Sequence, residues 1–237
     1  MALLVSMHRA PLVVVTLTLG VLGGFQGSFV GSLNGATPVG AGIGAVAGLA
    51  WGLAAGLIAH LVRRNTTAAT WVANVSLFIG IVLTGVKLGG SQTLGIIQTN
   101  AFAEAPDIVA ATIHGPVADS LGAFYNITNG TLEWLVLPTI LLFNWQVPQR
   151  RTAIIAAAAF FYLTRIWTYT YFGPTITRLD ADLADGVPVD QVLAEFKEWT
   201  DLSTIRGIVG EAVPFLSLLL GAFFPTHSER NRTAQPR

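Results

Sequence analysis

The sequence contains no cysteine, only four histidines and few charges, with 13 basic and 13 acidic residues among 237. The absence of cysteine excludes disulfides, thiolate metal sites and cysteine nucleophiles. Charged residues make up 11% of the chain, whereas an average soluble domain contains about 25%. Because 52% of the residues are apolar, too few polar side chains remain to cover a water-soluble fold. The composition therefore predicts an integral membrane protein whose main partner is the lipid bilayer, and we expect no nucleic-acid partner.

Six apolar segments are each close to the roughly 20 residues that a helix needs to cross the hydrocarbon core. They comprise residues 10–30, 40–62, 70–88, 130–145, 153–172 and 204–224. This threading places one group of arginines on the same side: Arg9, Arg63, Arg64, Arg150, Arg151, Arg230, Arg232 and Arg237. Since cytoplasmic loops are enriched in Lys and Arg, both termini are predicted to be cytoplasmic. The predicted fold class is all-α: a polytopic membrane helical bundle of six transmembrane helices, multi-pass in the plasma membrane of a prokaryotic cell.

The predicted spans divide the chain into four parts. Residues 1–90 form a glycine-rich part with three spans, residues 91–127 an outer amphipathic loop, and residues 128–224 a second three-span part. The last part, residues 225–237, is a basic cytoplasmic tail. A further outer helical loop, residues 174–202, carries apolar residues at helical spacing with acidic residues behind them. Amphipathic helices of this kind lie on the membrane interface or cap a bundle.

Glycine recurs at an interval of four in the second span, at positions 40, 44, 48, 52 and 56. The first span carries glycines at positions 20, 23, 24, 27 and 31. A glycine inside a helix costs about 1 kcal/mol relative to alanine in water, but in lipid small residues allow the close backbone approach that stabilises helix pairs. The spacing predicts a tightly packed antiparallel hairpin of the first two spans. Use of the same glycines as a homo-oligomeric face is the alternative.

Four ionisable residues lie within the apolar zone, where each is costly and therefore points to function. They are Glu133, Arg165, Arg206 and Glu211, and the threading puts all four at a similar depth in the outer half of the bilayer. We expect the two arginines to stabilise a developing anion and the two carboxylates to carry protons. The structural alternative is that Arg165 and Glu211 form an isolated ion pair while Arg206 and Glu133 reach the interface.

Further side chains are candidates for binding a ligand at that level. Gln26 of the first span and Tyr162 of the fifth offer polar edges, and Trp134, Trp167 and Trp199 offer flat aromatic faces. An aromatic belt at the membrane interface is the alternative use of the tryptophans. His114 lies in the first outer loop and, with Asp119, Glu133 and Glu211, is the one candidate for a mixed site. No histidine pair has metal-ligand spacing, so we expect no metal and no cofactor.

The stretch from Arg165 to Phe224 resembles the anthrone-oxygenase-like family of small four-span membrane proteins, most of which have no assigned function. The family pattern is an aromatic helix, a proline, a leucine-containing amphipathic loop and then W-x3-N-x2-R before the last span. This chain has Pro174 and Leu179, followed by Trp199, Ser203 and Arg206 at the matching spacing. Ser203 replaces the asparagine of the motif, and Ile176 and Thr177 replace a pair of asparagines. The resemblance covers at most residues 128–224.

The resemblance implies a four-helix unit that, in a few members, oxidises a flat polycyclic phenol without an evident cofactor. Two functional hypotheses follow. In the first, a polar-lined cavity in the outer half of the bundle binds a small apolar or aromatic molecule, with or without oxidising it. In the second, the protein is a non-catalytic subunit of a larger membrane complex, or a small permease. The sequence leaves open whether the protein is an enzyme.

Overall fold

The computed structural model describes residues 2–224 and is helical throughout that range, with no strand among those residues. The predicted basic tail, residues 225–237, lies outside the described residues. Ten α-helices follow one another: α1 (Ala2–Ser32), α2 (Thr37–Val62), α3 (Thr66–Glu104), α4 (Pro106–Ala111), α5 (Pro116–Thr131), α6 (Leu137–Asn144), α7 (Pro148–Trp167), α8 (Gly173–Ala184), α9 (Val189–Gly207) and α10 (Val213–Ala222). Three five-residue π-helical segments join the later helices, at Leu132–Val136, Thr168–Phe172 and Ile208–Ala212.

Five of the helical stretches are long and apolar enough to cross a membrane: Ala10–Ser32, Thr37–Val62, Thr66–Phe102, Pro148–Ala184 and Val189–Ala222. They agree with five of the six predicted spans. The predicted span at residues 130–145 is part of a continuous helical stretch but is not among the five. Glu133 and Asn144 within it, and Asn129 directly before it, lower the hydropathy of this stretch, and all three are buried in the protein. A central helix that faces protein rather than lipid tolerates such polar residues.

Helices α1 and α2 pack backbone against backbone through their glycines. A Cβ atom added to Gly23 would collide with the carbonyl of Gly44, and one added to Gly27 would collide with the carbonyl of Gly40. Gly48 likewise faces the carbonyl of Leu19. The structure therefore has the predicted antiparallel hairpin, in which the absence of side chains permits an approach that alanine would prevent.

Each π-helical segment ends two residues before a proline: Pro138, Pro174 or Pro214. Proline has no N–H and its ring crowds the carbonyl four residues earlier, so the regular helical ladder is interrupted there. In the first segment the N–H of Leu137 bonds to the carbonyl of Leu132, five residues back. Proline thus explains why all three helices carry a wide turn at a similar place in the bundle.

Two apolar cores stabilise the structure. The larger lies between the spans and includes Leu19, Leu137, Ile140, Phe161 and Leu218, all fully buried. The smaller lies beyond them, where the end of α3 meets α4, α8 and α9; it contains Val109, Ile113, Leu179, Val192 and Phe196. We call this second unit the cap. Its core includes the apolar faces that the sequence predicts for the outer loops.

The cap is built by helices that are longer than a membrane crossing requires. Helix α3 has 39 residues, a length of roughly 58 Å at 1.5 Å per residue, about twice the thickness of the hydrocarbon core. Residues 91–104, predicted as part of a loop, instead prolong this helix. The predicted loop 174–202 similarly forms α8 and most of α9, joined at Gly186 with a φ of +81°. Helices that extend the bundle in this way enclose space between the two cores.

Candidate functional site

A cavity of about 950 Å³ lies between the large core and the cap. Its walls come from α3, α5, α7 to α9 and the π-helical segments at Thr168–Phe172 and Ile208–Ala212. This volume is at the upper end of the roughly 300–1,000 Å³ typical of small-molecule sites. The ionisable and aromatic side chains that carry the argument below are Lys87, Tyr125, Arg165, Tyr169, Phe172, Trp199, Arg206 and Glu211.

Glu133 and Arg165 form a buried ion pair between the Leu132–Val136 segment and α7. The hydroxyl of Tyr169 donates to Glu133 Oε2 at 2.9 Å and accepts from Arg165 Nη2 at 2.9 Å. The guanidinium also lies over the ring of Tyr169, 4.7 Å from its centroid. Glu133 is 1% exposed and Arg165 8%. Because each charge is both paired and hydrogen-bonded, the cluster satisfies the conditions under which buried ions are tolerated.

The carbonyl groups beside Glu133 are also satisfied by side chains. The wide turn leaves the Glu133 carbonyl without its usual intrahelical donor, and Tyr162 donates its hydroxyl to that oxygen at 2.9 Å. Pro138 leaves the Trp134 carbonyl without a donor, and the indole of Trp51 donates to it at 2.6 Å. These two bonds hold the segment that carries Glu133 against α7 and α2.

Lys87 and Glu211 form a second buried pair, with 3.4 Å between Nζ and Oε1. Ser91, one turn after Lys87 on α3, donates to the same carboxylate oxygen at 3.0 Å and lies 3.1 Å from the Tyr125 hydroxyl. Lys87 is 6% exposed and Glu211 5%. The second carboxylate oxygen, Glu211 Oε2, is buried and has no hydrogen-bond partner among the described residues. Glu211 lines the cavity, and a carboxylate oxygen without a partner is an acceptor for a hydrogen bond or a proton.

Arg206 is a third cation on the cavity wall, and it differs from the other two. Its Nη2 donates to Ser203 Oγ at 2.8 Å, and its guanidinium lies 4.2 Å from the centroid of Phe172 and 5.6 Å from that of Trp199. Among the side chains that the structure describes, no carboxylate is within ion-pair distance of it. The indole of Trp199 is itself held by donation to the Phe172 carbonyl at 3.1 Å. Arg206 is therefore a positioned cation held against aromatic faces.

Below the cavity the bundle is filled with hydrocarbon. Leu137, Ile140, Phe161 and Leu218 are each fully buried in the large core. At the far end Arg150 is buried and donates to Asn74, Asn144 and the Phe224 carbonyl. The polar side chains near the cavity and those near Arg150 are thus separated by an apolar layer.

The structure brings together part of the predicted site. Arg165, Arg206, Glu211, Trp199 and Ser203 all line the cavity. Glu133 lies directly behind Arg165, and Tyr162 lies behind Glu133.

The other predicted ligand-binding residues lie elsewhere. Gln26 and Trp134 line a separate groove of about 430 Å³ beside the glycines of α1 and α2. Trp167 packs edge-on against Phe172, 5.0 Å between centroids, and is not among the lining residues. His114 is exposed and lies 2.6 Å from Asp180. Among the described residues no three His, Asp or Glu side chains converge as metal ligands do, so His114 forms no mixed site with Asp119, Glu133 and Glu211.

The ion pairs differ from the Arg165–Glu211 pair that the sequence analysis gives as the structural alternative. Arg165 pairs with Glu133, and the partner of Glu211 is Lys87, which is not among the predicted site residues. The predicted third span ends at residue 88, so Lys87 was read as an end residue. In the structure α3 continues for 16 residues beyond that point, to Glu104, and Lys87 lies well inside the helix. Ser91 and Tyr125 were missed because both fall in residues 91–127, which the sequence analysis assigns to an outer loop, whereas the structure places them on α3 and α5.

Comparison of the chain with protein-family models, with curated proteins and with solved structures finds no match. The functional argument therefore depends on the geometry of the cavity.

Proposed function

We propose that this chain is a six-span membrane protein, with cytoplasmic termini and an extracytoplasmic cap, that binds a small apolar or aromatic molecule in the cavity beneath the cap. The sixth span in this proposal is part of the helical stretch from Pro116 to Asn144, which is mostly buried from Thr128 onward. The arginines near the far end of the bundle support cytoplasmic termini. Acidic residues predominate on the cap, consistent with the opposite side.

The single observation that carries the proposal is the combination of a 950 Å³ cavity with an orphaned buried oxygen on Glu211. Buried polar groups in native proteins nearly always have a partner. Glu211 lines a space large enough for a ligand, and its carboxylate oxygen without a hydrogen-bond partner is a candidate acceptor for a group of that ligand. The rings of Phe172 and Trp199 provide the apolar contacts that small-molecule sites generally use.

An enzymatic version of this proposal is an oxygenase-like reaction that needs no cofactor. A bound phenol or enol would lose its proton to Glu211, and Arg206 and Arg165 would stabilise the resulting anion. The carbon of the anion would form a bond to dioxygen, Glu211 would return the proton to the peroxide, and loss of water from the hydroperoxide would leave a carbonyl group. Glu211 suits the role of proton acceptor better than Glu133, because both oxygens of Glu133 are already bonded to Arg165 or Tyr169. The resemblance to the anthrone-oxygenase-like family supports an aromatic substrate, and the replacement of its asparagine by Ser203 favours binding without that reaction.

A non-catalytic role as subunit or permease is the second candidate. The groove of about 430 Å³ beside Gly23, Gly27 and Trp134 favours a subunit, since small-residue surfaces accept a neighbouring helix. The apolar layer below the cavity counts against a permease in this conformation.

The cavity offers a direct test of ligand binding. Gly95 of α3 lines the cavity, and a Cβ added to it meets nothing within 4 Å. Gly95→Leu would fill part of the space without a collision. Gly89→Leu is the matched control, because Gly89 is on the same helix, is exposed, does not line the cavity and also meets nothing within 4 Å.

The experiment is native mass spectrometry of the full chain released from nanodiscs prepared from its own membrane, to detect molecules that co-purify. We expect a bound small molecule with the wild type and Gly89→Leu, and its loss with Gly95→Leu. A mass identical to the bare chain in all three proteins would contradict the proposal.

A further inference from the structure

The charges around the cavity do not balance. Three cations lie on its wall, Lys87, Arg165 and Arg206, and two carboxylates oppose them, Glu211 and Glu133. Two further carboxylates line the cavity, Asp119 and Asp180. Asp119 is exposed, and the Asp180 side chain is 50% exposed and bonded to His114. Apart from these two solvent-exposed carboxylates, the cations exceed the carboxylates by one, and the cation without a paired carboxylate among the described side chains is Arg206.

The Arg206 guanidinium has hydrogen-bond donors for which the described residues provide few acceptors. A guanidinium has five N–H donors, and the described residues accept from Arg206 at Ser203. The guanidinium lies against the rings of Phe172 and Trp199, so its position is fixed before a ligand binds. An oriented guanidinium favours a planar anion such as a carboxylate, which it can bind through two parallel hydrogen bonds.

The same wall also offers unpaired acceptors. Glu211 Oε2 and Asn129 Oδ1 are buried and have no hydrogen-bond partner among residues 2–224. Both residues line the cavity and are about 95% buried. Arg206 and Glu211 are five residues apart along one helix, roughly 7 Å of rise. A cation and a carboxylate oxygen at that separation require different groups on the ligand, and the Asn129 oxygen is a further acceptor on the wall.

We propose that the cavity selects an organic anion: its carboxylate-like group binds Arg206 against Phe172 and Trp199, and a hydrogen-bond donor elsewhere on its apolar body binds Glu211 and Asn129. The inference rests on the proposed function and names the chemical class of its ligand. A neutral or cationic molecule of the same shape leaves the excess charge of Arg206 unpaired and binds more weakly.

Four naphthalene probes of similar size test the charge and the donor separately. They are 2-naphthoate, 6-hydroxy-2-naphthoate, 2-naphthalenemethanol and 2-naphthylmethylammonium. Binding is measured by equilibrium dialysis against the full chain in phosphatidylcholine nanodiscs, with empty discs subtracted. We expect 2-naphthoate to bind at least tenfold more tightly than the alcohol or the ammonium, and the hydroxyl group to add a further gain of several fold.

Variants locate the effect. Arg206→Gln should remove the preference for the anion, and Arg206→Lys should restore part of it. Lys197→Gln is the control, because Lys197 is on the same helix but is exposed and pairs with Asp201. We expect the control to keep the full preference.

The outcomes separate the two proposals. Equal binding of anion, alcohol and ammonium by the wild type, or tighter binding of the ammonium, overturns the choice of an anion and leaves the proposed cavity function standing. A preference for the anion that Arg206→Gln does not reduce overturns the role of Arg206. Absence of binding by all four probes, together with no co-purified molecule in the Gly95→Leu comparison, overturns the proposed function itself. Binding of the four probes to the wild type tests the preference for an anion even if a variant fails to fold.

Discussion

Lys87 of α3 and Glu211 of the π-helical segment Ile208–Ala212 form an ion pair across 3.4 Å in the interior of the bundle. The pair joins the glycine-rich part of the chain to the part that carries the cavity. It also sets the charge of the cavity, because it neutralises one of the three wall cations. The first prediction concerns its energetics.

Lys87→Met should destabilise the protein by roughly 3–5 kcal/mol, since it leaves Glu211 buried and unpaired. Glu211→Leu should cost a similar amount for the converse reason. The double variant should be more stable than either single variant, because it removes both charges. Unfolding by dodecyl sulfate, followed by tryptophan fluorescence, measures these differences. Strictly additive losses would show that the two side chains do not interact.

Tyr169→Phe should destabilise the Glu133–Arg165 cluster by about 1.5–3 kcal/mol, the usual range for a hydrogen bond to a charged group. The phenyl ring keeps its packing, but Arg165 loses an acceptor and Glu133 a donor. Tyr171→Phe is the control, since the ring of Tyr171 packs on Phe172 without contributing to the cluster. The same unfolding assay applies, and equal stability of the two variants would contradict the network described above.

Gly23→Ala should destabilise the α1–α2 hairpin by about 1–3 kcal/mol or more, because the new methyl group would collide with the Gly44 carbonyl. Gly42→Ala makes the same chemical change on α2 at a position where a Cβ meets nothing within 4 Å. We expect the control to be neutral or slightly stabilising, since alanine is the better helix former. Resistance to thermal aggregation in mild detergent distinguishes the two. If Gly42→Ala lost stability and Gly23→Ala did not, the close contact would lie between α2 and a helix outside this chain rather than between α1 and α2.

The proposed orientation is open to direct labelling, because the chain has no cysteine of its own. Asp185→Cys places a thiol in the exposed turn of the cap, and Gln146→Cys places one in the exposed turn between α6 and α7 at the opposite end. In intact cells a membrane-impermeant maleimide should label the first variant and not the second. Permeabilised cells should give labelling of both. The reverse pattern would place the cap in the cytoplasm.

The membrane class and most of the spans were predictable from composition and hydropathy. Five predicted spans correspond to helices of suitable length and apolarity. A chain with so few charged residues lacks the polar surface that a water-soluble fold needs. The glycine spacing also predicted the α1–α2 hairpin, since close helix packing in lipid depends on residues without bulk. The helix containing Glu133 was predicted as a span from its short apolar run, and most of its residues from Thr128 to Asn144 are buried.

The partners of the buried charges were not predictable from one sequence. Glu133, Arg165, Arg206 and Glu211 were identified as unusual because ionisable residues are costly in an apolar segment. Their pairing depends on which helices lie side by side and how each is rotated. Lys87 was missed because a hydropathy limit was taken as the end of a helix that in fact continues into the cap.

The sequence by itself determined that this chain is a helical membrane protein, where its glycines bring two helices together, and which ionisable residues lie at unusual depth. These properties follow from local composition and spacing, which act along a single helix. Only the tertiary structure decided that Lys87 rather than Arg165 neutralises Glu211, that Arg206 remains without a carboxylate, and that Gln26 and Trp134 lie outside the cavity. Those outcomes depend on the rotation and extension of neighbouring helices, and three proline-induced wide turns shift that rotation within single helices.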